Sequence, residues 1–502
     1  MNLTARALRS GVLNAGRAVA SLAATTLVSA VVARSLGPDR MSDFTYALWW
    51  AGVFAFFANL DLPALLTKYV AEYVAREQPG MAGQMVRWAV GFQLLVSTLA
   101  SVLAVLLLHW WWKDGDLRII VVAAALVLPL SLQQTAAGAL AGLQRYDHIL
   151  RIALAGSALK VLLVLLAAMW QVSTPGMLAV AVGGSLAEAA LSVAILSRLL
   201  HTEEPSAAAE SARAFRRMLW LATISAFSSL TDLVVWERSE TFFLKQYAPT
   251  RALADYGVAF ELSTKVGGLG TVFASVLLPI GVDAYARGGD PELRLAYNRA
   301  LKYLAMIMLP ASLAAIALAQ PLVLLVYGEA FRPAIVPLRL LLLSVPIIAV
   351  SQAGHMVIYA REQQLKLVQF GFGLALLNIA LAWLLVKPWG AAGAAAANAL
   401  SQTAAVLVGV VFIERLFSTP GLPWKGLLKI SAASVFAAVP LYAAVEFRAA
   451  PPLVALAGLA DLVMYVGLLA ALRETSLQEW QALRDLFAGR GPVSESESEI
   501  RG

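Results

Sequence analysis

The sequence predicts an all-α polytopic membrane protein with about 14 transmembrane helices. Of its 502 residues, 60% are hydrophobic and only 14% are charged, whereas soluble domains have about 25% charged residues. Apolar runs of about 20 residues, the length that crosses a bilayer, recur along nearly the whole chain. The short alternating segments typical of a transmembrane β-barrel do not recur. These observations exclude a soluble enzyme or a secreted disulfide-rich domain, and the chain has no cysteine.

Fourteen apolar segments are long enough to cross a bilayer, and we predict a helix in each. They lie at residues 10–33, 44–66, 86–108, 118–141, 150–170, 176–199, 219–244, 254–281, 298–319, 334–358, 367–386, 391–413, 427–446 and 453–472. Residues 321–331 are too few to span, so we expect them to lie at the surface. Charged residues within the spans are candidates for function, because ionisable groups are costly at bilayer depth.

The lysines and arginines between the spans predict the orientation of the chain. With a cytoplasmic N-terminus, 25 of the 38 Lys and Arg residues fall on cytoplasmic segments and ten on the opposite side. Such an excess is typical of cytoplasmic loops. We therefore expect a multi-pass protein of a bacterial or archaeal cytoplasmic (inner) membrane, with both termini in the cytoplasm. The net charge of +7 is explained by these loops, and no nucleic acid partner is expected.

Spans 1–6 and 7–12 repeat each other weakly. Residues 134–160 are echoed by residues 352–378, and the turn before span 6 is echoed by the turn before span 12. We therefore predict two pseudo-symmetric six-helix bundles followed by two C-terminal helices. The predicted domains are an N-terminal bundle (1–200), a cytoplasmic linker (201–217), a C-terminal bundle (218–415), helices 13 and 14 (416–475) and a cytoplasmic tail (476–502), disordered from about residue 492.

Two related bundles suit a secondary transporter that works by alternating access. A channel would need a filter loop, and an enzyme would need a cluster of polar groups at an interface. Neither pattern is present, and the four histidines are scattered along the chain. We therefore expect no catalytic residue, no metal site and no cofactor. The candidate driving forces are H+, Na+ or the membrane potential.

Short motifs in a fixed order connect the chain to a known family. They are residues 33–38 (ARSLGP), 139–146 (ALAGLQRY), 255–259 (DYGVA), 278–279 (LP), 326–331 (VYGEAF) and 390–395 (GAAGAA). Together they resemble the polysaccharide-transport, O-antigen-type flippases of the multidrug/oligosaccharidyl-lipid/polysaccharide (MOP) exporter superfamily. The resemblance covers roughly residues 5–475.

This resemblance implies a flippase that moves polyprenyl-diphosphate-linked oligosaccharide from the inner to the outer leaflet for cell-surface polysaccharide biosynthesis. The expected partners are that lipid-linked glycan, membrane lipids and glycan-assembly proteins. The alternative is a cation-coupled exporter of drugs or metabolites from the same superfamily. A membrane glycan polymerase or ligase is a third hypothesis, but it would need a large outside loop, and the outside loops predicted here are short.

Cations inside the predicted spans are the first candidates for binding the diphosphate, because an unpaired anion in a low dielectric is costly. Lys160 lies midway along span 5, Lys265 lies midway along span 8, and Arg238 lies toward the outer half of span 7. Arg145 and Arg151 lie at the predicted cytoplasmic entrance and are candidates for collecting the same group. The alternative for these two arginines is that they only set the topology.

Acids inside the predicted spans are candidates for ion coupling or for lining the cavity. They are Asp232, Glu188, Glu237, Glu240 and Glu261. Asp232 and Glu240 fall on one face of predicted span 7, and Asp232 is the deepest acid there, so it is the first coupling candidate. The alternative is that the charges only pair with each other. Lys160 would then pair with Glu188, and Glu261 would pair with Lys265 four residues later.

Overall fold

The computed structural model describes residues 3–112, 115–200, 208–235, 238–361, 363–417, 421–472 and 474. These residues form helices and no strand, so the predicted all-α class is confirmed. The helices are α1 (Leu3–Asn59), α2 (Leu62–Ala75), α3 (Pro79–Trp111), α4 (Leu117–Gly142), α5 (Tyr146–Met169), α6 (Thr174–Leu199), α7 (Ala208–Val235), α8 (Glu240–Tyr247), α9 (Thr250–Ala317), α10 (Ala319–Val326), α11 (Ile335–Ala360), α12 (Gln364–Leu416), α13 (Trp424–Glu446) and α14 (Pro451–Ala471). A 3-10 helix, Glu329–Ala334, precedes α11.

Three of these helices contain a sharp turn at a glycine. The φ angle is 72° at Gly37 in α1, 65° at Gly289 in α9 and 52° at Gly390 in α12. A left-handed backbone is costly for other L-residues, which explains why glycine occupies these positions. Each turn separates two of the predicted spans, so those neighbouring spans are joined with hardly any loop.

The predicted span over residues 44–66 is wrong at its C-terminal end. Helix α1 ends at Asn59, Leu60 and Asp61 have φ angles of 47° and 57°, and α2 then begins at a bend of 40°. Pro63 lies in the first turn of α2, where a missing backbone N–H costs nothing. The two left-handed residues therefore divide what the hydropathy pattern presents as one apolar run.

The number of membrane crossings is counted from helix length and composition. Within the described ranges, nine helices are long and apolar enough to cross a membrane, or ten if the bent pair α1 and α2 counts as one span. The multi-pass helical architecture is confirmed, and the number of fourteen stays a prediction. Residues 321–331 contribute to short helices, α10 and the 3-10 helix, which are too short to span.

Backbone contacts divide the chain into two compact units. The first comprises Met1–Lys265, Leu322–Ser344 and Gln363–Val408, and the second comprises Val266–Pro321, Val345–Glu362 and Gly409–Gly502. The predicted domain boundaries at residues 200, 218 and 415 stay a prediction. Residues 201–207 of the predicted linker and residues 475–502 of the predicted tail lie outside the described residues.

The first unit is held together by close packing between α2 and α4. A Cβ atom added at Gly138 would lie 2.3 Å from the carbonyl oxygen of Pro63, and one added at Gly142 would lie 2.8 Å from that of Thr67. Thr67 Oγ1 also donates a hydrogen bond to the carbonyl of Gly138 at 2.9 Å. Small residues let membrane helices approach closely in this way. Gly142 of the ALAGLQRY motif therefore has a packing role.

The second unit packs α13 and α14 against the later part of α9. Tyr465 Oη in α14 donates a hydrogen bond to the carbonyl oxygen of Met306 in α9 at 2.7 Å. In the same unit Arg294 and Glu414 form an ion pair at 2.7 Å. This hydrogen bond fixes the position of α14 along α9, whereas apolar contacts alone would allow α14 to slide.

Candidate functional site

A cavity of about 330 Å³ lies within the first unit. It is bordered by α1 on both sides of Gly37, by α4, α5 and α6, and by the first turns of α9. Arg238, in the segment between α7 and α8, also borders it. Four of the predicted site residues contribute to its wall: Lys160, Glu188, Arg238 and Glu261. Among the described residues, the rest of the lining is apolar or carries hydroxyl and amide groups, so these four residues provide the charge of the described wall.

Lys160 and Glu188 form an ion pair between α5 and α6. Lys160 Nζ lies 2.7 Å from Glu188 Oε2. Gln133 Nε2 in α4 donates a hydrogen bond to the same carboxylate oxygen. The Lys160 side chain is 30% exposed, whereas that of Glu188 is 4% exposed. The pairing considered from the sequence is therefore present, and it leaves the ammonium group at the cavity wall.

Two glycines make room for this pair. A Cβ atom added at Gly156 in α5 would lie 2.0 Å from Glu188 Oε1, and one added at Gly184 in α6 would lie 2.6 Å from Lys160 Cγ. Real Cβ atoms do not approach other heavy atoms so closely. Any larger residue at either position would therefore displace the charged side chain opposite to it.

Gly156→Ala is expected to displace the Glu188 carboxylate and lower the free energy of unfolding by about 2 kcal/mol, because a buried charge would lose its partners. Gly183→Ala is the matched control, since a Cβ atom at Gly183 has no heavy atom within 4 Å. The thermal unfolding of both variants in detergent measures the difference. Equal melting temperatures for the two variants would contradict this account of the glycine.

Arg238 lies in a break between two helices. The prediction of one continuous helix over residues 219–244 is wrong, because α7 ends at Val235 and α8 begins at Glu240. The Arg238 guanidinium lies 5.3 Å from the centre of the Phe260 ring, a cation–π contact. It forms no ion pair with any residue that the structure describes. Irregular backbone at membrane depth is tolerated where it lines a cavity, and Arg238 does so.

Lys265 and Glu261 pair along α9, as their spacing of four residues suggested. Lys265 Nζ also donates a hydrogen bond to Thr25 Oγ1 in α1 at 2.8 Å. Glu261 and Thr25 border the cavity, whereas Lys265 lies just behind them. Two of the three predicted intramembrane cations are therefore neutralised locally, and Arg238 is the one without an acidic partner among the described residues.

Glu240 is fully buried at the start of α8 and is held by neutral donors. Tyr256 Oη donates to its Oε2 at 2.9 Å, and Asn378 Nδ2 and Asn398 Nδ2 donate to its Oε1 at 2.8 and 3.2 Å. It forms no ion pair with the residues described. A buried carboxyl group without a basic partner needs a proton or a bound cation for neutrality. This network therefore contains a carboxyl group that can take up a proton or a cation.

Of the other predicted residues, Arg145, Arg151 and Glu240 are described and do not border the cavity. Arg145 and Arg151 lie at the exposed start of α5. Asp232 lies in α7, but its side chain is outside the described part of the structure. The whole of Glu237 also lies outside the described residues. The prediction that Asp232 and Glu240 share one helical face is wrong, because they belong to separate helices.

Several residues of the cavity wall and of the hydrogen-bond network around Glu240 were not predicted. Gln133 orients the carboxylate of Glu188, and Tyr256, Asn378 and Asn398 surround Glu240. The only signal in the sequence is that Gln133, Asn378 and Asn398 are amides inside apolar helices. Such amides commonly serve as hydrogen-bonding partners between helices, and only the fold reveals which partner each one meets.

The comparisons with known proteins decide the family. The sequence profile of a family described as polysaccharide biosynthesis protein matches residues 15–283, which is more than half of the chain. The chain belongs to this family. As the motifs indicated, this is a family of MOP-superfamily transporters and flippases, not of enzymes. A search of curated proteins gives no match.

Several solved structures share the fold of this chain. The lipid II flippase MurJ in an inward closed conformation has a TM-score of 0.70 at 14% identity, covering 93% of this chain and 99% of its own. An inward-facing multidrug resistance MATE family transporter of the MOP superfamily has a TM-score of 0.61 at 13% identity, covering 80% and 98%. A MATE structure in complex with MaL6 has a TM-score of 0.54 at 12% identity, covering 81% and 96%.

Proposed function

We propose that this protein is a flippase that moves polyprenyl-diphosphate-linked oligosaccharide from the inner to the outer leaflet. The observation that carries the proposal is the cavity of the first unit, where Arg238 has no acidic partner among the described residues and Lys160 presents its ammonium group. A diphosphate carried past a low-dielectric core needs such cations. Membership of a polysaccharide biosynthesis family supports a glycan as the group attached to it.

The proposal assigns different roles to the predicted cations. Arg238 is the primary phosphate contact, because its planar guanidinium can donate two parallel hydrogen bonds to one phosphate. Lys160 is a second contact that is already shared with Glu188. Lys265 contributes to the local potential from behind Glu261. Arg145 and Arg151 lie outside the cavity wall and are proposed to collect the substrate at the cytoplasmic side.

Transport against a gradient needs a driving force, and we propose coupling to H+, Na+ or the membrane potential. Glu240 is our candidate for the coupling group among the described acids. Among the described residues its carboxyl group has only neutral donors around it, so binding or loss of one cation would change its charge without breaking an ion pair there. Asp232 stays a candidate on the basis of its position in the sequence.

The proposed setting is the cytoplasmic membrane of a bacterium or archaeon, with both termini in the cytoplasm. The excess of lysine and arginine on one set of loops supports this orientation. The proposed partners are the lipid-linked glycan, the surrounding lipids and proteins that assemble the glycan. No nucleic acid partner is proposed.

Deletion of the gene is expected to leave the lipid-linked intermediate on the cytoplasmic leaflet and to stop export of the glycan. Restoring the wild-type gene should clear the intermediate, because flipping is the step that lies between its synthesis and its export. The measurement is the amount of intermediate, together with its accessibility to a reagent that does not cross the membrane.

The competing proposal is a cation-coupled exporter of drugs or metabolites. The carboxylates of Glu188 and Glu261 in the cavity wall favour it to a degree, since they would attract a cationic solute. Their lysine partners oppose it. A deletion strain that accumulates no lipid-linked intermediate, and instead becomes sensitive to cationic drugs, would reject the flippase in favour of this exporter.

A further inference from the structure

The ion pair between Lys160 and Glu188 is unequally exposed. Both residues border the cavity, but only 4% of the Glu188 side chain is exposed, whereas nearly a third of the lysine side chain remains accessible. An ammonium group has three N–H donors. Glu188 takes one of them in the described structure, so the lysine retains donors for a ligand in the cavity. A pair that only joined two helices would gain nothing from this exposure.

Gln133 competes with Lys160 for the carboxylate of Glu188. Its Nε2 and the Lys160 ammonium group donate to the same oxygen of Glu188. A carboxylate oxygen that accepts a second hydrogen bond holds its first donor less strongly, because the two donors share the negative charge of the same oxygen atom. Gln133 therefore weakens the hold of Glu188 on Lys160 without carrying a charge of its own.

The place of the pair is fixed by its surroundings. Gly156 and Gly184 provide the space that the two side chains fill, so the pair occupies a slot formed by both helices. Glu188 is also fixed at its backbone, where its carbonyl oxygen accepts a hydrogen bond from Ser192 Oγ at 2.7 Å. Lys160 is thus held at one position in the cavity wall by an acid whose side chain is far less exposed than its own.

We propose that Glu188 is a positioning residue that sets how tightly Lys160 binds phosphate oxygens, and that Gln133 adjusts how strongly Glu188 holds Lys160. This inference rests on the proposed function, since it assumes that a diphosphate enters the cavity. Glu188 holds the ammonium group in place and offsets part of its charge. The substrate is then bound by Arg238 and a half-neutralised lysine, and it can leave on the other side of the membrane. An uncompensated pair of cations would retain it.

The test measures binding of inorganic pyrophosphate to the full-length protein in nanodiscs, together with thermal unfolding and the rate of glycan flipping. Glu188→Gln keeps the shape of the side chain and removes its charge. It is expected to tighten pyrophosphate binding by about tenfold and to slow flipping, because the Lys160 ammonium group is then no longer partly neutralised by its partner. Gln133→Met is expected to weaken binding by about threefold, since Glu188 then holds Lys160 more strongly.

Two further variants make the test specific. The double variant with Lys160→Gln and Glu188→Gln should show no tightening relative to Lys160→Gln alone, because Glu188 acts only through the lysine. Glu72→Gln is the matched control, since Glu72 forms an exposed ion pair with Arg76 in α2, outside the cavity wall. Its pyrophosphate affinity should equal that of the wild type.

The outcomes separate this inference from the proposed function. A Glu188→Gln protein that is less stable but binds pyrophosphate as the wild type does would show a purely structural pair and overturn the inference. If that variant does not fold, unchanged binding by Gln133→Met overturns it instead. A wild-type protein that flips the glycan without binding pyrophosphate refutes the inference and leaves the function standing. Tighter pyrophosphate binding by Glu188→Gln, together with a wild-type protein that does not flip the glycan, supports the inference and rejects the function.

Discussion

Arg238→Gln is expected to reduce glycan export by about 100-fold or more while the amount of protein in the membrane stays normal. The guanidinium lines the cavity and has no acidic partner among the described residues, so its removal leaves no acid unpaired among them. What is lost is the strongest donor for a diphosphate. Export is measured in a deletion strain that carries the variant, with the protein level determined on the same membranes.

Two variants serve as controls for Arg238. Arg238→Lys keeps the charge but loses the paired donors, so it should retain a small part of the export. Arg287→Gln changes an exposed arginine that pairs with Asp283 four residues earlier, and it should export as the wild type does. Wild-type export by Arg238→Gln would remove this residue from the proposed diphosphate site.

Glu240→Gln is expected to abolish the dependence of flipping on an H+ or Na+ gradient. The glutamine fits the same space and still accepts hydrogen bonds, but it cannot take up a proton or a cation as a carboxylate does. Flipping in proteoliposomes, with and without an imposed gradient, measures the dependence. Glu329→Gln, at an exposed ion pair with Arg332, is the matched control and should leave it unchanged.

Substitutions of different size at Glu240 distinguish a role in coupling from a purely structural role. Glu240→Ala would leave Tyr256, Asn378 and Asn398 without their shared acceptor, so it should destabilise the protein by about 3 kcal/mol. Glu240→Gln should be far milder, because its amide oxygen keeps an acceptor in place. If gradient dependence survives in a folded Glu240→Gln protein, the network is structural and coupling lies elsewhere.

The sequence was sufficient for the helical membrane architecture because apolar length is a local property. It also identified Lys160, Glu188, Arg238 and Glu261, which the fold brings to one cavity. Ionisable groups are so rare within apolar segments that each one is conspicuous. The alternative of ion pairing was equally visible from spacing, and both proposed pairs, Lys160 with Glu188 and Lys265 with Glu261, are present in the structure.

The break between α7 and α8 was not predictable from hydropathy. Residues 236–239 contain neither proline nor glycine, so no local signal marks the end of α7. The turn at Gly37 precedes a proline, but the same kind of residue pair also occurs in loops. The amides around Glu240 come from positions more than 130 residues later in the chain, and their meeting depends on packing between helices.

The glycine turns at Gly37 and Gly390 have a consequence for how the protein is made. Gly390 joins two apolar segments that are separated only by residues 387–390, whereas residues 34–43 around Gly37 include four charged side chains. Either pair can enter the bilayer as one helical hairpin during synthesis, because only a short hydrophilic stretch has to be carried across. Lengthening either turn with a polar insert would add that burden. The yield of inserted protein should therefore fall before its transport activity is affected.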